Sequence, residues 1–367
     1  MKNKFIGIII LIMFLPSIQA ATFCVVNSME LQNALDEANI NKQNNIIKIA
    51  VGNYTTPGFQ FNYNAANSNT GWNLEIIGGW SEFFKNPCGQ QIGSTPFDTV
   101  LDGNSNNRVM ELIASGNADI TIRDLTFING MVDGLGRGGG LRIRSIANNH
   151  TGNLILERSA FINNEANYGS AFNISEFNKT VIKNNLLADN NARTGLTAEI
   201  IQNNQYGIYF TNNTVINNTQ ENDNGWGTGV QISACGSSNA AIYNNLLWGN
   251  ETNDLGLGLC GKNYFLSNND IAVRVGADPI SDSGNISLSP ELNLGVMIYT
   301  PSFNSPLVDA GTKPPENVPF PIPFKWDWNV GLVDFLGNVR TQGSKVDIGA
   351  FESAPEMPIF INGFEFN

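Results

Sequence analysis

Charged residues are scarce in this 367-residue chain, where Asp, Glu, Lys and Arg make up 14% against the usual quarter. Histidine occurs once, at His150, and the four cysteines form no CxxC pair, so neither a metal site nor another cofactor is expected. A Walker-type phosphate loop, a GxSxG nucleophile elbow and an HExxH motif are also missing. These absences argue against the enzyme classes that such motifs mark, and they leave the catalytic residues of any other enzyme unassigned.

Positive charge is also in short supply, because the formal net charge is −12. Nucleic acid and anionic membrane surfaces are therefore poor partners, and an acidic polysaccharide is repelled at long range. The 42% hydrophobic content together with low charge is typical of a folded chain rather than a disordered one. Beyond the N-terminal segment, no stretch is apolar enough to cross a membrane as a helix.

The N-terminus has the pattern of an export signal. Lys2 and Lys4 precede an apolar run from Phe5 to Leu15, and the small residue Ala20 follows at a position that suits signal peptidase. We predict a signal peptide over residues 1–20 and a mature protein that is secreted or held at the cell surface. In that oxidising compartment the cysteines are expected to form disulfides.

A repeated pattern dominates the middle of the chain. Similar segments recur at intervals of 26 to 34 residues, beginning at Ile122, Leu156, Ile182, Phe210 and Ile242. Short alternating apolar runs and frequent Gly and Asn exclude helical repeats, and the period is short for a propeller blade. We predict an all-β fold, a right-handed parallel β-helix over residues 45–275. Ten side chains should point into one axial core: Ile122, Phe127, Leu156, Phe161, Ile182, Leu187, Phe210, Val215, Ile242 and Leu247.

Asn pairs mark the same phase of several repeats. Asn tolerates the left-handed backbone that a sharp corner requires, and stacked amides can form a ladder of side-chain hydrogen bonds. We predict that ladder at Asn184, Asn212 and Asn244. In-register stacking also predicts a row of alternating charge on consecutive coils, formed by Arg123, Glu157 and Lys183.

Both ends of a solenoid need covering. Residues 21–44 are predicted to form an N-terminal cap that contains a helix from Met29 to Ala38 with Ser28 as its N-cap. The apolar stripe of that helix, over the first coil, is formed by Leu31, Ala34, Leu35 and Ala38.

Prolines concentrate toward the other end and predict where the regular coils stop. Residues 276–353 are expected to form an irregular, packed C-terminal cap, followed by a tail at 354–367. Either a sorting signal or a last edge strand accounts for the pattern of the tail.

The cysteine spacing predicts two disulfides. Cys235 and Cys260 are 25 residues apart, close to one coil, and one coil advances the chain by about 4.8 Å. This matches the Cα separation of a disulfide, about 4.4–6.8 Å. Cys24 and Cys88 are then left to join the N-terminal cap to the first coils.

Three C-terminal segments resemble a known family. Ser305–Gly311, Asp334–Arg340 and Val346–Glu352 look like the closing signature of choice-of-anchor Q domain proteins, and Leu31–Leu35 and Ile77–Trp80 also look like that group. The resemblance covers nearly the whole mature chain. It implies an exported bacterial protein with a pectate-lyase-like right-handed β-helix, in a family where most members have no established activity.

The charged residues of that signature are Asp309, Asp334, Arg340, Asp347 and Glu352. We interpret them as structural, because Asp and Arg side chains can satisfy turn amides and each other around a cap.

The first functional hypothesis is a non-enzymatic adhesin or scaffold, expected to be a monomer, that binds an extracellular glycan or a host or cell-surface protein along its side. Six aromatic residues are candidates for stacking on sugars, about half of them being expected in the core or in turns: Tyr168, Tyr206, Tyr209, Tyr243, Trp226 and Trp248.

The alternative hypothesis is a polysaccharide lyase or glycoside hydrolase. Hydrolysis needs paired carboxylates, for which the candidates are Glu157, Glu165, Asp189 and Glu199. Elimination at an acidic sugar needs a basic residue, for which the candidates are Arg142, Arg144, Arg158 and Arg193. Because scattered charges on a solenoid are usually only solvated, we favour the binding hypothesis.

Overall fold

The chain folds into stacked coils of short strands. The structure is a computed structural model, and it describes residues 20–65, 71–81, 88–146, 151–203, 207–221, 227, 229–293, 299–313 and 330–353. The predicted signal peptide, apart from Ala20, and the tail at 354–367 lie outside the described residues. Within the described part, no helix is both long and apolar enough to span a membrane.

The elements are short and almost all extended. Among the described residues, one α-helix, α1 (Ser28–Ile40), and one 3₁₀ turn (Pro96–Asp98) accompany the strands. The strands of the first half are β1 (Ala21–Val25), β2 (Asn45–Ala50), β3 (Gly52–Thr55), β4 (Phe61–Asn64), β5 (Leu74–Trp80), β6 (Thr99–Asp102), β7 (Met110–Ala114), β8 (Ile120–Ile128), β9 (Leu141–Ser145), β10 (Asn153–Ile162), β11 (Glu165–Ala166), β12 (Phe172–Ser175) and β13 (Lys179–Lys183). Those of the second half are β14 (Leu186–Ala188), β15 (Asn191–Ala192), β16 (Ala198–Gln202), β17 (Gly207–Thr211), β18 (Thr214–Ile216), β19 (Thr219–Gln220), β20 (Val230–Ala234), β21 (Asn239–Tyr243), β22 (Leu246–Trp248), β23 (Leu255–Leu257), β24 (Tyr264–Ser267), β25 (Asp270–Ile271), β26 (Arg274–Gly276) and β27 (Ser281–Ser283).

The strands form three parallel sheets that run along the solenoid. Sheet two follows the order β4-β7-β9-β12-β16-β20-β23-β26, sheet three consists of β11, β15 and β19, and sheet one contains the other sixteen strands. Each coil passes through the sheets in turn and returns parallel to the preceding coil. Parallel crossovers of this kind are right-handed, and the predicted right-handed parallel β-helix is confirmed. Parallel pairing continues to β27, which pairs with β24.

A single apolar core runs along the axis. The ten side chains predicted to point inward are all buried there, at 0% exposure. Strand alternation explains their position, because every second side chain of a strand faces the same side. Equivalent residues stack in register from coil to coil, and the Phe127 and Phe161 rings stack with centroids 4.8 Å apart.

The N-terminal helix covers the first coils. Leu31 and Leu35 of α1 belong to the main core, which confirms the predicted apolar stripe. The prediction of Ser28 as the N-cap is wrong by one residue. Asn27 has the extended backbone of an N-cap, and its side chain accepts a hydrogen bond from the Glu30 amide at 3.0 Å.

Both predicted disulfides are confirmed. Cys24 and Cys88 are bonded with their Cα atoms 5.0 Å apart, and Cys235 and Cys260 with theirs 4.8 Å apart. The second bond joins adjacent coils, as expected from a spacing of nearly one coil. The first holds β1, beside the N-terminal helix, to the segment that follows β5.

The predicted Asn ladder lies one residue further along the chain. Asn184, Asn212 and Asn244 have positive φ angles of 54° to 57° and turn the corner between the two arms of sheet one. Of these three, only Asn244 reaches an equivalent neighbour, Asn212, at 3.4 Å. The continuous ladder runs through the second residue of each pair, with amide-to-amide distances of 2.8–3.0 Å, along Asn185, Asn213, Asn245, Asn269 and Asn285. The left-handed residue makes the turn, and its successor donates to a backbone carbonyl of the preceding coil, as Asn185 does to Leu156.

A second ladder supports the next corner. It runs through Asn164, Asn190, Asn218 and Asn250 and ends on the Asp254 carboxylate. Each of these amides also donates to a backbone carbonyl of a core strand. The Asn side chains thus supply hydrogen bonds at corners, where the sheets supply none.

The predicted charge row has the expected register. In the strand register, Glu157 lies beside Arg123 of one neighbouring strand and beside Lys183 of the other. The Lys183 Nζ lies 3.1 Å from the Glu157 carboxylate, whereas Arg123 pairs with Glu75 at 3.3 Å. These partly exposed pairs support the stacking but contribute little to stability.

The C-terminal segment is irregular and packed, and it lies along the side of the coils. We call residues 305–312 and 330–353 the C-terminal strap. Its apolar side chains cover outward-facing residues of sheet one, for example Phe335 and Phe351 over Leu186. Hydrogen bonds fasten it to the corner asparagines, with Asn184 donating to the Val330 carbonyl at 3.1 Å and Asn244 to the Thr312 carbonyl at 2.7 Å.

Asp270 is a buried carboxyl near the last coils. The Leu288 amide donates to its Oδ1 at 3.1 Å, and its Oδ2 has no hydrogen-bond partner among the described residues. Burial raises the pKa of Asp270 to about 6, the nearby Asp254 charge adds to the rise, and the Leu288 amide opposes it. The folded state therefore favours the protonated form. The stability that the neutral Asp270 carboxyl contributes is fully present below about pH 4 and is lost as the pH rises to about 6.

Replacing Asp270 with Asn should remove this pH dependence. We expect Asp270→Asn to gain about 2 kcal/mol over the parent between pH 4 and pH 7, because the amide stays neutral and keeps an acceptor for Leu288. Denaturant titrations at both pH values measure the difference. Asp278→Asn, at an exposed carboxyl, is the control and should show no such gain. An equal gain at pH 4 and pH 7 would contradict the assignment to Asp270.

Candidate functional site

Sheet two presents a row of polar side chains on its outer face. In-register pairing aligns one outward position of six successive strands, and the polar row consists of Asn62, Glu111, Arg142, Asn173, Glu199 and Gln231. The residues on either side of each, such as Met110 and Leu112, point into the core. The row therefore follows directly from strand alternation and from the stacking of coils.

Three arginines surround Glu111 at one end of the polar row. Arg108 Nη1 lies 3.3 Å from Glu111 Oε2, and Arg142 Nη1 lies 3.3 Å from Oε1. Arg144, two residues after Arg142 on β9, places its Nε 3.8 Å from the same Oε1. Arg142 and Arg144 keep 31% and 35% of their side chains exposed, so both remain accessible to a ligand.

Glu199 is the second acidic residue of the row. It pairs with Arg137, and Asn173 donates to its carboxylate at 2.8 Å. The Arg137 guanidinium lies over the Tyr168 ring, 5.0 Å from the centroid. Guanidinium, amide, carboxylate and phenol groups are thus brought together, and they supply both donors and acceptors.

The four carboxylates predicted for hydrolysis do not converge. Glu157 lies on sheet one and pairs with Lys183, while Glu165 lies on sheet three and pairs with Arg193. Asp189 accepts a hydrogen bond from the Tyr299 hydroxyl, and Glu199 lies on sheet two. Sequence proximity placed them on neighbouring coils, but the coil carries Glu157, Glu165 and Glu199 to three different sheets and leaves Asp189 at the corner after β14.

The four predicted arginines are likewise divided. Arg142 and Arg144 lie together on sheet two, beside Glu111. Arg158 lies at a corner, where its Nε donates to Asp124 at 2.7 Å, and Arg193 pairs with Glu165 and Asp133. Arg108 and Arg137, which complete the sheet-two cluster, were missed because they lie in turns outside the repeated pattern.

The aromatic candidates lie in three kinds of position. Tyr209 and Tyr243 are buried beneath the C-terminal strap, and Trp248 packs beside it. Tyr168 is partly exposed near the polar row. Tyr206 and Trp226 lie outside the described residues.

The five signature residues lie together in the strap. Their carboxylates accept hydrogen bonds from backbone amides at 2.7–2.9 Å. The Asp309 amide donates to Asp347, the Asp347 amide to Glu352, and the Glu352 amide to Asp334. Arg340 donates to the Asp347 and Gly349 carbonyls at 3.1 Å and 2.6 Å. Asp309 in turn accepts from the Lys345 amide. In these contacts the signature side chains bond to turn amides and turn carbonyls of the strap.

Burial alters the ionisation of this network. Burial raises the pKa of Glu352, and the Arg340 guanidinium opposes that rise. Burial also raises the pKa of Asp347 and lowers that of Arg340. Phe335 and Phe351, which lie in the same segment as the network, pack on outward-facing residues of sheet one rather than on sheet two.

Metal-binding geometry is absent from the part of the chain that the structure describes. No group of three or more His, Cys, Asp or Glu side chains lies close enough together there to hold an ion.

Comparisons with known proteins add little to this geometry. No family model matches the chain, and no curated protein matches it, so the resemblance to choice-of-anchor Q proteins stays a prediction. A solved structure described as pectate lyase Pel9A is 14% identical, with a TM-score of 0.39 over 91% of this chain and 97% of that one. At that TM-score we draw nothing about this chain from the likeness.

Proposed function

We propose that this chain is an exported, non-enzymatic scaffold that binds a glycan along the polar row of sheet two. The observation that carries the proposal is the row itself, six polar side chains in register on successive coils. Sugar hydroxyls both donate and accept hydrogen bonds. Asn62, Glu111, Arg142 and Gln231 are partly exposed and offer amide, carboxylate and guanidinium groups, whereas Asn173 and Glu199 are buried. A long solenoid face suits an extended polymer.

The C-terminal strap favours sheet two over sheet one as the binding face. It covers the outward side of sheet one, where Tyr209 and Tyr243 are buried beneath Val330 and Val346. On sheet two, by contrast, Arg142 and Arg144 remain accessible.

The arrangement of carboxylates supports binding over hydrolysis. Glu111 and Glu199 are the acidic residues of the row, and three strand steps separate them. Their backbones thus stand about 14 Å apart at about 4.8 Å per step. Inverting and retaining hydrolases place their two carboxyl groups about 5–9.5 Å apart. Export is supported by the two disulfides, which persist in oxidising compartments.

A glycan array with a parallel depolymerisation assay tests this proposal. We expect binding to at least one polysaccharide and an at least tenfold loss of affinity in Gln231→Ala, because one amide of the row is removed. Asn53→Ala removes an exposed amide from β3 of sheet one and is the matched control. It should bind like the parent.

The depolymerisation arm decides between the two hypotheses. We expect no unsaturated, ultraviolet-absorbing products from uronate polysaccharides. If such products appear and are lost in Arg142→Gln or Arg144→Gln, the lyase hypothesis replaces the scaffold. Equal affinity of Gln231→Ala and the parent would show that sheet two is not the binding face.

A further inference from the structure

The cluster at Glu111 carries more positive charge than its own carboxylate can neutralise. Three arginines, Arg108, Arg142 and Arg144, have Glu111 as their ion-pair partner among the described residues. Three positive charges and one negative charge leave a formal surplus of two positive charges. This surplus lies on a chain whose formal net charge is −12.

Glu111 has little capacity left for further donors. Its Oε2 accepts from Gln60 Nε2 at 2.8 Å and from Arg108 Nη1 at 3.3 Å, and its Oε1 accepts from Arg142 Nη1. The Nε atoms of Arg142 and Arg144 are shielded from solvent and have no hydrogen-bond acceptor in the described part of the chain. The protein therefore leaves both arginines incompletely paired, and the exposed parts of their side chains can pair with an incoming anion.

Arg108 is fixed, whereas the other two arginines are available. Its Nε donates to the Gly138 carbonyl at 2.8 Å and its Nη2 to the Arg137 carbonyl at 2.9 Å. Burial lowers the pKa of Arg108, Glu111 opposes this, and the charges of Arg142 and Arg144 lower it further. The arginines thus repel one another, which is the electrostatic condition for accepting an anion.

We propose that Arg142 and Arg144 form a subsite for the carboxylate or sulfate group of an acidic glycan. The two side chains point outward from one strand, two residues apart, and a guanidinium can hold such an oxyanion with paired hydrogen bonds. The inference rests on the proposed function and names the chemical class of its ligand. The net charge of −12 does not oppose it at contact distance, because salt screens charges beyond about 8–10 Å.

Dextran, carboxymethyl-dextran and dextran sulfate test the subsite, because they share a backbone and differ in their charged group. We expect at least one of the two charged polymers to bind the full mature chain at least tenfold more tightly than dextran does. The preferred group distinguishes a carboxylate from a sulfate ligand. Arg142→Gln and Arg144→Gln should each reduce that preference about tenfold, because each removes a charge-assisted contact.

Two further variants separate a specific site from general charge. Arg274→Gln removes one positive charge from β26, beyond the polar row, and should leave binding of the charged polymer unchanged. Glu111→Gln removes the competing carboxylate and should tighten that binding. Because arginines surround Glu111, the affinity of Glu111→Gln is used only if its melting curve shows a folded protein. If it does not fold, Arg142→Gln and Arg144→Gln alone test the subsite.

Several results would overturn the subsite. Charged polymers that bind no better than dextran would do so, and so would an Arg274→Gln variant that weakens binding as much as Arg142→Gln. A single-stranded oligonucleotide that binds more tightly than both charged polymers would reassign the cluster to nucleic acid. If a neutral glycan binds through Gln231 without any effect of charge, the proposed function stands and the subsite fails.

Discussion

Arg340→Ala should lower the free energy of unfolding by about 3–5 kcal/mol. Arg340 is buried with the carboxylates of Asp334, Asp347 and Glu352 around it, and removing it leaves these groups without a counter-charge. Two carbonyls of the strap also lose their donor. Chemical denaturation at pH 7, followed by circular dichroism, measures the loss.

Val339→Ala is the control for Arg340→Ala, because the adjacent Val339 is 64% exposed and its truncation should cost less than about 0.5 kcal/mol. A second readout separates structure from function. At a temperature where Arg340→Ala remains folded, its affinity for a sheet-two ligand should equal that of the parent. Unchanged stability with abolished binding would instead indicate that the signature residues form a ligand site.

Asn213→Ala should destabilise the protein by about 3–4 kcal/mol. The Asn213 side chain donates to the Ile182 carbonyl at 2.9 Å and to Asn245 at 3.0 Å, and it accepts from the Asn185 amides. Alanine breaks these contacts to both neighbouring coils and leaves the buried Asn185 backbone amide and Ile182 carbonyl without this partner, which is why the cost exceeds that of one hydrogen bond. Denaturant titration combined with hydrogen exchange locates the loss at the corner.

The exposed Asn106 provides the matched control for Asn213. Asn106→Ala removes the same side chain from a turn and should change stability by less than about 0.5 kcal/mol. A cost for Asn213→Ala similar to that for Asn106→Ala would contradict the ladder. Loss of only the coil that contains Asn213, with the others protected, would agree with the nearest-neighbour stability of solenoids.

The offset of the Asn ladder shows how far a repeat can be interpreted. Repetition identified the corners, because Asn at one phase of every coil requires a local explanation. It did not identify which Asn of each pair forms the ladder, since Asn184 and Asn185 repeat equally well. The backbone conformation decides this, because the residue with positive φ turns the chain and its successor points into the corner.

The candidate site shows a similar division. The alternation of apolar and charged residues along Leu141–Arg144 is enough to place Arg142 and Arg144 on one face of a strand. Their clustering with Arg108 and Glu111 depends on coil lengths that vary, and on turns that the pattern does not describe. For the same reason the four acidic candidates, which lie near each other in the sequence, lie on different sides of the solenoid.

Sequence patterns were sufficient to predict the parallel solenoid, ten side chains of its core, the apolar stripe of the N-terminal helix and both disulfides. These features depend on local periodicity and on spacings close to one coil, which chain geometry translates directly into position. Tertiary structure alone decided the path of the strap over sheet one, the residues of the Asn ladders and the arginine cluster at Glu111. Each depends on contacts between residues far apart in the chain, such as Asn184 with Val330, whose free energies no local pattern encodes.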